Sequence, residues 1–152
     1  MKKKCYVLIL SNYFPKTHKK AGDPTKFFEK ILEGIKLHTI RNNYPLWKHR
    51  VDEINAGRAY LSVRCWSGLP YRSKQHEFME FNSLGIQKLS IYTGWKWWYL
   101  VDGFETNIST TQLAKNDGLS LENFKEWFKK IPEEPMAVIH FTDFRYQEMK
   151  YL

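Results

Sequence analysis

Apolar positions along the chain follow two periods, and each period predicts its own elements. Residues 4–11 contain a short, nearly continuous apolar run that predicts a buried strand. Phe27, Phe28, Ile31 and Leu32 recur at i, i+1, i+4 and i+5. They form one helical stripe, starting at Thr25 and stopped by Gly34, which suits a left-handed position just past a helix end. Leu46, Trp47, Val51 and Ile54 place a second helix over residues 44–54, with Pro45 in the first turn, where no backbone donor is needed. Residues 60–66 alternate, with Leu61, Val63 and Cys65 on one face of a half-buried strand. Residues 71–81 and 86–92 predict two more strands. Residues 109–115 predict a short helix, weakened by a pair of threonines. Ser120 caps a helix over residues 120–131 that carries Leu121, Phe124, Phe128 and Ile131 near one face. Pro132 and Pro135 end it, and residues 136–144 read as a closing strand. Residues 12–24, with Asn12, Pro15, Gly22 and Pro24, form a loop long enough to carry function. Short strands with interspersed helices and no regular alternation predict an α+β domain or a partly open barrel, not a doubly wound sheet.

Composition narrows the class. The chain has 152 residues, the size of one domain, and its 43% hydrophobic and 26% charged content is that of a globular chain. No apolar run approaches the roughly 20 residues that span a bilayer. The lysines at residues 2–4 followed by an apolar stretch imitate a signal peptide, but the stretch is short and no small-x-small cleavage site follows. Cys5 and Cys65 give no disulfide framework and no zinc half-site, and the five histidines show no ligand spacing. The expectation is a cytoplasmic protein with no metal, no cofactor and no membrane partner.

Charge changes that picture most. The net charge is +8. Residues 1–50 hold 12 basic residues and three acids (Asp23, Glu29, Glu33), a balance of +9; the remaining 12 basic residues face 13 acids, a balance of −1. Such asymmetry suits an anionic partner, although a lysine-rich surface also serves solubility alone.

The stretch that follows the first helix carries the densest chemistry. Lys36, Thr39 and Arg41 supply an amine, a hydroxyl and a guanidinium, with His38 between them. In a straight strand Thr39 and Arg41 share a face, whereas Lys36 joins them only if the chain bends. An ordinary strand with polar ends fits the same spacing. The pattern Gly34-x-Lys36-x-x-Thr39-x-Arg41 after an amphipathic helix resembles the ASCH domain, of the PUA-like superfamily. The order of elements over roughly residues 25–145 is similar to that of the small bacterial N4-acetylcytidine amidohydrolases within it. Residues 55–58 resemble their lead-in to a strand, residues 119–122 the start of their late helix, and residues 137–141 their closing strand. The resemblance implies a single PUA-like, partly open β-barrel with flanking helices over residues 1–152. It also implies roles: Lys36 as proton acceptor, Thr39 as nucleophile, and Asp117 at the position of the family's acidic proton donor. That family acid is a glutamate, one methylene longer. Asp117-Gly118 is also what an ordinary turn would use. Residues 1–24 and the longer middle of residues 66–103 depart from the small enzymes.

That middle segment interleaves aromatics and cations around a Gly-Pro turn. Trp66 and Tyr71 are placed to stack on a base while Arg64, Arg72 and Lys74 meet phosphates; core packing of Trp66 is the competing reading. The cluster at residues 95–99 reads mainly as hairpin aromatics. Three functions remain: a module binding RNA or a modified nucleoside or nucleotide, a nucleoside amidohydrolase, and a protein-interaction domain.

Overall fold

The computed structural model describes residues 2–149, and its strands lie in two ladders. In the first, β1 (Lys4–Ile9) runs parallel to β3 (Ala59–Trp66), which pairs antiparallel with β4 (Gln75–Phe81). The second has the order β2 (His38–Arg41), β8 (Met136–His140), β5 (Gly85–Tyr92), β6 (Trp98–Val101) and β7 (Phe104–Glu105), all antiparallel. Strand β8 pairs on both edges and buries all five of its residues, as a central, uninterrupted apolar run should. Helices α1 (Phe27–Leu32), α2 (Tyr44–Asn55), α3 (Thr110–Asn116) and α4 (Leu121–Trp127) complete an α+β fold. One continuous core takes Leu8, Leu61 and Val63 from the first ladder and Leu89, Val138 and Ile139 from the second. Among the described residues, no helix is long and apolar enough to cross a membrane.

Several boundaries differ from the sequence expectation, each for a local reason. Helix α1 does not begin at Thr25, whose hydroxyl donates to the Ser11 carbonyl at 2.6 Å; Lys26, at φ 59°, precedes the helix instead. Its end is as expected. Gly34, at φ 76°, donates to Ile31 O, and Ile35 donates to Lys30 O, the paired bonds of a Schellman turn. Helix α2 buries Trp47, Val51 and Ile54 but leaves Leu46 exposed, in its first turn beside the cap. Its N-cap is Asn43, whose side chain accepts from Leu46 N. Asn55, its last residue, both donates to and accepts from the Leu84 backbone, tying the helix to the β4–β5 turn.

In β3 a bulge between Val63 and Arg64 breaks strict alternation, so Leu61 and Val63 are buried while Cys65 is only partly so. Residues 71–74 are not strand. Tyr71, at φ 61°, turns the chain, and pairing starts at Gln75. Helix α4 stops at Trp127 rather than at residue 131, because Phe128 leaves helical angles while its ring packs on Phe124 at 4.8 Å. Strand β8 ends at His140; Phe141 N donates to Leu37 O, and the chain then bends away as a tail. Ser109 and Ser120 cap α3 and α4 through their side chains.

Candidate functional site

The Schellman turn after α1 sends the chain sharply toward α3, so Lys36 precedes β2 and is not part of it. This supplies the bend that lets Lys36 share a cavity with Thr39 and Arg41. Lys36 is 2% exposed. Its Nζ donates to the Asp117 carbonyl at 2.6 Å, lies 3.4 Å from Asp117 Oδ1, and sits 4.3 Å from the centre of the Phe27 ring. Burial pulls its pKa down to about 8; the Asp117 carboxylate opposes that pull and Arg41 adds to it.

Asp117 is the C-cap of α3, and Gly118 follows at φ 83°, so the residue is in a turn as well as in the site. Its Oδ1 also faces His38 Nδ1 at 3.3 Å. His38 Nε2 lies 2.6 Å from the Tyr146 hydroxyl, which accepts from Asn116 Nδ2 at 3.1 Å. One proton arrangement satisfies every member: Asn116 donates to Tyr146, Tyr146 donates to His38 Nε2, and His38 Nδ1–H donates to Asp117. Burial lowers the His38 pKa, and the hydrogen bond His38 makes to Asp117 opposes that pull.

Arg41 is held by one bond, Nη2 to the Ile9 carbonyl at 2.6 Å. Its Nε is buried with no partner, and among the described residues Arg41 forms no ion pair. Burial lowers its pKa, partly offset by Asp117. Thr39 is 4% exposed, and its hydroxyl finds no hydrogen-bond partner among the described residues.

These four side chains line a cavity of about 40 Å³, walled by Phe27, Leu119, Trp127 and Phe128. The Trp127 ring contacts Phe14 and His18 of the loop over residues 12–24 at 5.6 and 5.9 Å, and His18 Nε2 reaches the Asn123 carbonyl. The basic loop thus packs on one wall of the cavity, with Lys16, Lys19 and Lys20 exposed on it. A larger, shallow concavity of about 510 Å³ lies elsewhere, between Tyr44, Lys88 and Glu134, and contains none of the residues singled out from the sequence.

The other predicted residues lie apart. His38 sits behind Asp117 and does not line the cavity. Arg64, Trp66, Tyr71, Arg72 and Lys74 belong to the β3–β4 hairpin and none lines it. Arg64 is pinned to Ser62, Gln75 and Cys5. Trp66 and Tyr71 face each other at 5.2 Å, with Tyr71 90% exposed. The hairpin and the cavity are joined through one short segment: Ser11 lines the cavity and Asn12 donates to the Trp66 carbonyl. Sequence reasoning missed Asn116 and Tyr146. Tyr146 lies beyond the last strand, where no periodicity marks it, and only the fold brings it to His38. Among the described residues, no group of three or more His, Cys, Asp or Glu side chains is placed to hold a metal.

The chain matches no protein-family model, no curated protein and no solved structure.

The turn at Gly118 is tightly matched to Lys36. A Cβ on Gly118 would lie 3.1–3.3 Å from the Lys36 stem, at a φ that L-residues rarely adopt. Gly118→Ala will therefore cost more than about 1 kcal/mol of stability in urea denaturation, the reverse of the small gain that Gly→Ala brings at a permissive turn.

Proposed function

We propose that this chain is an ASCH-type, PUA-like domain that binds RNA or a nucleoside or nucleotide at the cavity around Lys36, Thr39 and Arg41. In this reading the three- and five-stranded ladders are the two sides of a partly open barrel, and the protein works in the cytoplasm. The observation that carries the proposal is the set of unused donors. Arg41 and Thr39 line one cavity with Lys36, and the Arg41 Nε–H and the Thr39 hydroxyl lack protein acceptors among the described residues. A buried donor left unpaired costs about 1–3 kcal/mol, so keeping Arg41 Nε in that state beside an unpartnered Thr39 hydroxyl points to a ligand that supplies the acceptors. The basic loop on the Trp127 wall adds the charge that draws a polyanion in.

The test is a titration of labelled single-stranded RNA at roughly 50 and 200 mM salt. Affinity will fall with salt as phosphates release counterions, and Arg41→Gln will weaken binding about tenfold or more. No binding at low salt, or binding indifferent to salt, overturns the proposal.

A second reading is favoured by one observation, the Lys36 pKa near 8 beside a free Thr39 hydroxyl. A neutral Lys36 would take the Thr39 proton as Oγ attacks the acyl carbonyl of an acylated nucleoside such as N4-acetylcytidine. Lys36, now an ammonium, would pass that proton by way of Asp117 Oδ1 to the departing amine, and water would then hydrolyse the acyl-threonine. Lys36 and Thr39 make no hydrogen bond to each other, so that contact must form on binding. Acetate release that Thr39→Ala leaves unchanged rules this mechanism out.

A further inference from the structure

The cavity is small, cationic and rich in donors, and together these features select one kind of chemical group. A single buried water needs about 10–15 Å³. A cavity of about 40 Å³ therefore has room for a group of a few heavy atoms, not for a nucleobase. Its charge is unbalanced. Lys36 and Arg41 face one carboxylate, Asp117, while His38 lies outside the cavity with its Nε2 against the Tyr146 hydroxyl. Lys30, whose Nζ donates to the Gly118 carbonyl at 2.7 Å, adds a second net positive charge alongside.

The hydrogen-bonding inventory points the same way. Asp117 Oδ1 is engaged by Lys36 and His38. The donors that remain unpaired are the Arg41 Nε–H and the hydroxyl of Thr39, the latter 4% exposed and lining the cavity. A complementary group must bring acceptors and negative charge in a small volume. A phosphomonoester brings three acceptor oxygens and a charge of about −1.5 to −2 near neutral pH. An internal phosphodiester carries a single charge and two ester arms, which need two exits from a narrow cavity.

We infer that the cavity takes a terminal phosphomonoester, the 5′- or 3′-phosphate of a nucleotide or an RNA end, and that the base stays outside it. This inference rests on the RNA- and nucleotide-binding reading and names the part of the ligand that enters.

The test compares one short RNA with a 5′-phosphate, with a 3′-phosphate, and with hydroxyls at both ends. Cytidine monophosphate and cytidine are run in parallel, on the full chain. One phosphorylated end will bind at least tenfold more tightly than the hydroxyl-ended RNA, and the monophosphate will exceed cytidine by a similar factor. Thr39→Val, nearly isosteric, will reduce that ratio; Arg41→Gln will abolish it, provided its thermal unfolding shows a folded protein. Inorganic phosphate alone will raise the thermal midpoint of the wild-type chain. Equal affinity for all three RNA forms overturns the inference while leaving RNA binding intact. So does a phosphate preference that survives both substitutions, which would place the phosphate on the surface lysines. Failure of every RNA form, of cytidine monophosphate and of cytidine to bind removes the underlying reading as well.

Discussion

Replacing Asp117 with alanine will destabilise the protein by roughly 3–5 kcal/mol at pH 7, the usual cost of leaving a buried charge without its partner. Lys36 is buried, and among the described residues the carboxylate is the one negative group in contact with its ammonium. The same substitution removes the acceptor of His38 Nδ1–H. The loss will depend on pH in a defined direction. Burial sets the folded pKa of Lys36 near 8, below its ordinary value of 10.5. Between those values the unfolded chain holds more protons than the folded one, so this group makes stability rise with pH from about 8 to 10.5. Without Asp117 the opposing influence disappears, the Lys36 pKa falls below about 8, and the window opens at lower pH. Urea denaturation of Asp117→Ala at pH 7 and pH 9 will show a smaller deficit against wild type at pH 9. An equal deficit at both contradicts a charged Lys36 held by Asp117.

The second large effect is acid lability centred on His140. This residue is fully buried, and its Nε2–H donates to Gln87 Oε1 at 2.9 Å, while Nδ1 is buried without a partner. A proton on Nδ1 would therefore sit uncompensated in the core. Burial, with His38 and Arg145 nearby, pulls the His140 pKa from 6.5 to about 3. The folded state resists protonation over that interval while the unfolded chain accepts it. Stability will thus be full above pH 6.5 and will drain away as pH falls toward 3, by an amount on the order of 4–5 kcal/mol. His38, lowered for the same reason, acts in the same direction. A fall in unfolding free energy between pH 6.5 and 5 is the expected result. Unchanged stability over that interval contradicts the assignment.

The legible part of the sequence was what local chemistry decides. The helix cap at Ser120, the Gly34 turn and the apolar run that opens β8 all depend on neighbours in the chain, and each lies where the pattern put it. The grouping of Lys36, Thr39 and Arg41 was legible only as a condition, that the chain bend before β2; the Schellman turn meets it. Asp117 was read as either a turn residue or a site residue, and it is both by position, because a helix C-cap that turns at Gly118 also directs its side chain toward Lys36. Tyr146 was illegible, since its partner His38 is 108 residues away and nothing in a tail without periodicity marks that contact. The Trp66–Lys74 segment was read as a stretch that stacks on a base and meets phosphates. The β3–β4 pairing carries it onto a separate hairpin, a consequence of long-range register that spacing does not encode.

The central claim is that the unused donors of the cavity meet the acceptor group of a nucleotide. The most direct measurement is a crystal structure of the chain soaked with cytidine monophosphate. The account predicts ligand oxygens within hydrogen-bond distance of Thr39 Oγ1, Arg41 and Lys36 Nζ, with the base outside the cavity near Trp127. Ligand bound only at the Trp66–Tyr71 hairpin, with the cavity untouched, would contradict it.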